Sequence, residues 1–147
     1  KLKARAFTKI SRAAAGRPIR HAIEVRHPSF LVPEFFELLR KQKVAFVVAD
    51  TAGKFPYAED LTADFVYIRL HGAEKLYVSG YNDRALDWWA DRIKHWRKGK
   101  QPRGATLING RQIDHKFRDV FVYFDNDAKV HAPFDAIRLA RRLRVRG

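Results

Sequence analysis

The stretch DFVYIRLHG (64–72) decides the fold. Phe65, Val66, Tyr67 and Ile68 are strand-forming residues, yet the run ends in Arg69 and His71, two apart, before Gly72. Side chains alternate faces along a strand. Val66, Ile68 and Leu70 therefore share one face, and Tyr67, Arg69 and His71 share the other. HAIEVRH (21–27) repeats the pattern, with Ile23 and Val25 on one face and Ala22, Glu24 and Arg26 on the other. The apolar face seeks helices. The polar face points to the opposite side of the sheet, and arginine is almost never buried unpaired. A flat sheet with helices on both faces does not suit such strands. A closed barrel does, with helices outside and the polar residues converging at an inner mouth.

The rest of the chain supplies the partners of that strand. VAFVVAD (44–50) is almost continuously apolar, as in a parallel strand buried on both faces. DVFVYFDN (119–126) reads as a fourth strand whose facing is ambiguous: Phe124 and Asn126 share one side, Tyr123 and Asp125 the other. Helical patterns alternate with these strands. Pro33 suits a first turn, and the order of Glu34 and Glu37 before Arg40 and Lys41 matches the helix dipole over 33–42. Leu86, Trp89, Ala90, Ile93 and Trp96 form an apolar stripe over 83–98. Asn82 is its cap and Gly99 its stop. Pro133 opens a helix over 133–143 with Ala136, Ile137, Ala140 and Leu143 inward. A weaker helix is expected over 3–14, a short helical turn at best over 54–62, and an irregular connection over 99–118. Alternating strands and helices give right-handed βαβ units and a parallel sheet. Four strands are half of an eight-stranded barrel.

The chain has 147 residues, 46% of them hydrophobic, enough for one domain with a core. No apolar run approaches the roughly 20 residues that span a bilayer, and no leader opens the chain. With no cysteine there is neither a disulfide nor a thiolate metal site. These features lead us to expect a cytoplasmic protein. The chain begins at Lys1 and contains no methionine, so a fragment or processed form is expected, with the first half of the barrel missing or replaced by self-association. Lys and Arg total 30 against 16 Asp and Glu, a net charge of +14. That field attracts polyanions, although Arg92, Lys94, Arg97, Lys98, Arg138, Arg141, Arg142, Arg144 and Arg146 fall where helices face water.

Ligands of parallel α/β sheets bind at the carboxyl ends of the strands. Glu24, Arg26, Arg69 and His71 gather there, with Asp50 and Asn126 from the other two strands. His71 is the acid/base candidate, since histidine titrates near neutrality, and Glu24 is a second. Arg26 and Arg69 offer forks for carboxylate or phosphate. Each residue also has a structural reading: Glu24 with Arg26 as an ion pair, Arg69 held by Glu24 or Asp50, His71 or His27 as loop-shaping histidines. Two arginines at one mouth disfavour a metal cation, and no phosphate-loop or dinucleotide motif occurs. Trp89 and Trp96 belong to the core stripe. Tyr77 and Tyr81 are placed to overhang the mouth.

In their order, HAIEVRHPSF, VAFVVAD, DFVYIRLHG with YVSGY, and VFVYFDNDAKVHAPFDAIRLARRL make the chain resemble the YecE-like proteins, domain of unknown function 72, over about 18–143. The resemblance implies a TIM-type barrel of which this chain holds the last four βα units. It implies no cofactor and no established reaction. It carries Glu24, Arg26, His27, Arg69, His71, Gly72, Tyr81 and Asn126 as motif positions. The resulting expectation is a small anionic or phosphorylated ligand at the mouth. Acid/base chemistry there would be of the hydrolase, lyase or isomerase kind. The alternative is a nucleic-acid-associated protein using its basic surface.

Overall fold

A computed structural model of the chain describes residues 19–110 and 117–145. Four strands, β1 (Ala22–Ile23), β2 (Ala45–Asp50), β3 (Phe65–Leu70) and β4 (Asp119–Phe124), form one sheet in the order β1-β2-β3-β4, every pair parallel. Three helices accompany them: α1 (Pro33–Gln42), α2 (Asp83–Arg97) and α3 (His131–Leu143). No described helix is long and apolar enough to cross a membrane. The sequential parallel order is that expected. β1 is far shorter than 21–27, because only Ala22 and Ile23 pair with β2. Among the described residues the sheet is not closed, and β1 and β4 are its edges.

The α2 stripe is as the periodicity requires. Leu86, Trp89, Ala90, Ile93 and Trp96 are buried against Val48, Val66, Ile68 and Leu70, whereas Trp88 lies off the stripe and is exposed. Asn82 caps the helix by accepting the Ala85 N–H at 2.9 Å. On α1, Phe36 and Leu39 cover Val25 and Phe46.

Two expectations need correction. α3 begins at His131 and not at Pro133, and its inner side is Ala132, Asp135 and Leu139, with Ile137 exposed. The helix is rotated because Asp135 turns inward, where it accepts the Tyr81 N–H at 2.9 Å and the Asn126 amide at 3.1 Å. Arg92 does not face water. It is buried, 3.0 Å from the fully buried Glu59 and stacked 3.5 Å from the Trp88 ring centre.

No helical turn forms over 54–62. That segment instead carries two buried acids, which fasten the described part of the long connection. Glu59 accepts the Thr106 N–H, and Asp60 accepts those of Ile108 and Asn109. The expected 3–14 helix and residues 111–116 lie outside the described residues.

Candidate functional site

The faces of β3 separate as alternation requires. Val66, Ile68 and Leu70 enter the helix-side core. Tyr67 and Arg69 line a cavity of about 440 Å³ on the other face, together with Ala22, Glu24, Phe65 and Tyr123. The register places Ala49 of β2 directly beside Arg69. That small side chain leaves the Arg69 guanidinium free to cross β2 and reach β1.

There Arg69 Nη1 donates to Glu24 Oε2 at 2.9 Å, and Nη2 donates to Asp125 Oδ2 at 2.5 Å. The guanidinium is thus stretched between carboxylates on opposite edges of the sheet, occupying the position a cation would take between them. Arg26 Nη2 lies 2.8 Å from Glu24 Oε1, and its guanidinium carbon sits 4.3 Å from the centre of the Phe55 ring. Arg26 and Arg69 remain 41% and 31% exposed, so both keep surface for a ligand.

His71 completes the cluster from below. Its Nε2 is 3.3 Å from Glu24 Oε1 and its Nδ1 is 3.0 Å from Asp125 Oδ2, yet neither nitrogen makes an aligned hydrogen bond. Burial pushes its pKa below the ordinary 6.5. Arg69 and Arg26 add to that, and Glu24 and Asp125 oppose it without prevailing. The ring is therefore neutral at neutral pH, with one N–H and one lone pair for two carboxylates. His71 itself has no exposed side-chain surface. Of this cluster Glu24 and Arg69 line the cavity, while Asp125 and Arg26 are partly exposed but are not among its lining residues.

The backbone beneath His71 is tightly fixed. Its N–H donates to Asp50 O at 2.9 Å, and its carbonyl accepts the Tyr77 N–H. Gly72 has φ +123°, and a Cβ there would meet the Lys75 carbonyl oxygen at 2.5 Å, so only glycine fits. Ser79 Oγ accepts the N–H groups of Glu74 and Lys75 and closes the turn that follows.

The remaining sequence candidates fall elsewhere. Asp50 points to the helix side, its carboxylate accepting the Ala52 N–H at 3.3 Å near the Tyr81 hydroxyl and the Trp89 indole, and burial holds it above the usual 3.8. Tyr81 is buried, its hydroxyl accepting the Gly72 N–H at 3.1 Å. It braces the mouth from behind and does not overhang it. Asn126 also lies on the helix side, donating to Ser79 O and Asp135. His27 caps the turn Pro28–Phe30 by accepting the Ser29 N–H. Sequence reasoning passed over Asp125 as a site residue. The signal was present in the alternation that puts Asp125 with Tyr123, opposite Arg69 in the register.

The family described as a protein of unknown function, DUF72, matches residues 2–147. Two solved structures share the fold. A DUF72 family protein from Thermotoga maritima aligns with a TM-score of 0.69 at 24% identity, over 86% of this chain and 47% of its own. A second, from Enterococcus faecalis, aligns with a TM-score of 0.66 at 16% identity, over 88% and 49%. The chain thus spans about half the length of the structures it matches. No protein of curated function matches it.

Proposed function

We propose that this chain, which belongs to the DUF72 family, binds a small anionic or phosphorylated ligand at the carboxyl ends of its strands. Arg26 and Arg69 are the binding groups, and Glu24 is the acid/base residue with His71 behind it. One observation carries the reading: two partly exposed guanidinium groups converge on the Glu24 carboxylate, and one of them, Arg69, lines the cavity together with Glu24. Glu24 and Asp125 offset their charge. Affinity then rests on the directed N–H donors of each fork and on the +14 field of the chain.

The proton on His71 supplies the test. An anion at the rim favours the imidazolium, so binding and protonation reinforce one another. His71 titrates below 6.5, and the sign is that affinity rises as pH falls. Sulfate is the suitable probe, because its charge is constant over the range. Calorimetric titration is expected to show sulfate binding about threefold or more tighter on the acid side of the His71 titration, followed by NMR in the same samples, than at about pH 7.5, from the added charge on the imidazole. Affinity independent of pH, or no binding at either value, would count against the mouth as an anion site.

The nucleic-acid reading has less support. Arg92 is buried against Glu59, and Arg138 and Arg142 bridge α3 to Asp83 and Asp87 of α2, which withdraws three arginines from the free exterior. Its mark would be an oligonucleotide affinity falling steeply with salt and indifferent to sulfate at the mouth.

The four βα units are read as half of a TIM-type barrel. Support comes from the sequential parallel order, the two edges at β1 and β4, and solved relatives about twice as long. Tyr123 is 51% exposed and Ile23 39% exposed on those edge strands. Other apolar groups of the inner face, Ala45, Val47 and Phe65, are already buried. Open edges recruit further strands. Sedimentation of the 147-residue chain alone is expected to give a mass above its 17.1 kDa. A stable monomer whose β1 and β4 amides resist hydrogen exchange would refute the half-barrel.

A further inference from the structure

We propose that Tyr77 gates the site: its ring closes over His71, and a ligand reaches the imidazole only when that ring turns aside. The inference rests on reading the mouth as a ligand site, and it concerns how that site is opened.

The starting point is a contrast in exposure. His71 has no exposed side-chain surface, yet Arg69, Asp125 and Arg26 around it are all about a third exposed or more. Glu24 and Asp125 flank its two nitrogens. Tyr77 also packs against it, its ring standing at 77° to the imidazole with centroids 5.2 Å apart. Tyr77 is itself 39% exposed, so one side of its ring meets His71 and the other meets solvent.

The backbone at Tyr77 explains how it stays in place. Its φ is +61°, in the left-handed region that favours glycine and disfavours an aromatic residue. The conformation persists because it is pinned on both sides. The Tyr77 N–H donates to the His71 carbonyl, and the Tyr77 carbonyl accepts the Ala128 N–H at 3.2 Å. Gly72 and Ser79 shape the turn around it. Glycine would meet the backbone requirement with less strain, but it would leave His71 uncovered. A pinned backbone also means that opening is a rotation about the side-chain bonds of Tyr77 and not a loop movement. Such rotations of part-exposed side chains are fast.

Reagent access measures the gate directly, with no ligand present. Diethyl pyrocarbonate acylates neutral imidazole nitrogens, and peptide mass spectrometry reads the rate at each histidine, with exposed His27 as the internal reference. In the full chain His71 is expected to react far more slowly than His27. Tyr77→Gly should speed His71 about fivefold or more, the factor a lost aromatic edge contact of this kind is worth, while His27 is unchanged. Tyr77→Phe should behave like the parent, since the ring and not the hydroxyl is the cover. Tyr77→Asn, which also tolerates the left-handed backbone, gives the same reading if the glycine variant does not fold. An unchanged His71 rate in a folded Gly or Asn variant overturns the gate, as does a Phe variant that reacts like the glycine one. Sulfate binding is measured separately, so loss of the anion reading leaves this result intact.

Discussion

Replacing Glu59 by alanine is expected to cost about 3–5 kcal/mol of folding stability, the range for stripping one partner from a buried ion pair. Glu59 is fully buried and Arg92 nearly so. Their charged groups are 3.0 Å apart, with a second contact from Arg92 Nη2 to Glu59 Oε1 at 3.4 Å. The carboxylate also accepts the Thr106 N–H at 3.1 Å. Around it the backbone of residue 59 bonds Thr106 O, and its carbonyl accepts the Gln101 amide, which in turn accepts the Trp96 indole N–H. Alanine removes the charge that compensates Arg92 and the acceptor that ties the 101–106 loop to the coil segment before β3. Urea unfolding of the two proteins gives the comparison, and a shift of midpoint at constant slope identifies a change of stability. Glu59→Gln keeps an acceptor and the volume, so it should lose less. A cost below about 1 kcal/mol for the alanine variant would mean that Arg92 escapes to water, and the pair would not be the anchor described.

That anchor also shows where the sequence stops being legible. Two of the local periods could be read directly. The α2 stripe from Leu86 to Trp96 and the two faces of DFVYIRLHG follow from the 3.6-residue and two-residue repeats. β4 could not be oriented because Phe121, Val122, Tyr123 and Phe124 are apolar on both sides of the alternation. The choice between Asp125 and Asn126 was therefore open, and it is decided by Arg69, 56 positions away. α3 was misjudged for a related reason. Asp135 looks like a surface residue until Tyr81, Asn126 and Arg138 arrive to satisfy it. Arg92 sits one residue before Ile93 and reads as solvated, yet its partner Glu59 lies in a coil segment without periodicity. In each case the missing information is the long-range partner of a charged group. Glu24, Arg26, Arg69 and His71 were found because alternation alone puts them on one face near one end.

Arg69→Ala is expected to abolish sulfate binding at the mouth and to lower stability by about 2 kcal/mol, the scale of lost hydrogen bonds to charged groups. The loss is smaller than for Glu59 because the residues left behind are less isolated. Glu24 retains Arg26 at 2.8 Å, and Asp125 is 37% exposed and can be hydrated. The variant should also change His71. Arg69 is among the groups that hold the imidazole below 6.5, and without it Glu24 and Asp125 act on His71 unopposed by that charge. The His71 pKa should therefore rise, moving its protonation toward neutral pH, which NMR titration of the ring reads directly. Arg69→Lys separates charge from shape. A single ammonium carries the charge but cannot stretch between β1 and β4 as the fork does, so His71 should stay low while sulfate binds at least about tenfold more weakly. If Arg69→Ala folds and still binds sulfate like the parent, the anion is held by the basic exterior and the mouth is not its site. If sulfate binding is lost but His71 does not move, the contacts drawn here between Arg69, Glu24, Asp125 and the imidazole are wrong, since Coulomb coupling over such distances cannot be silent.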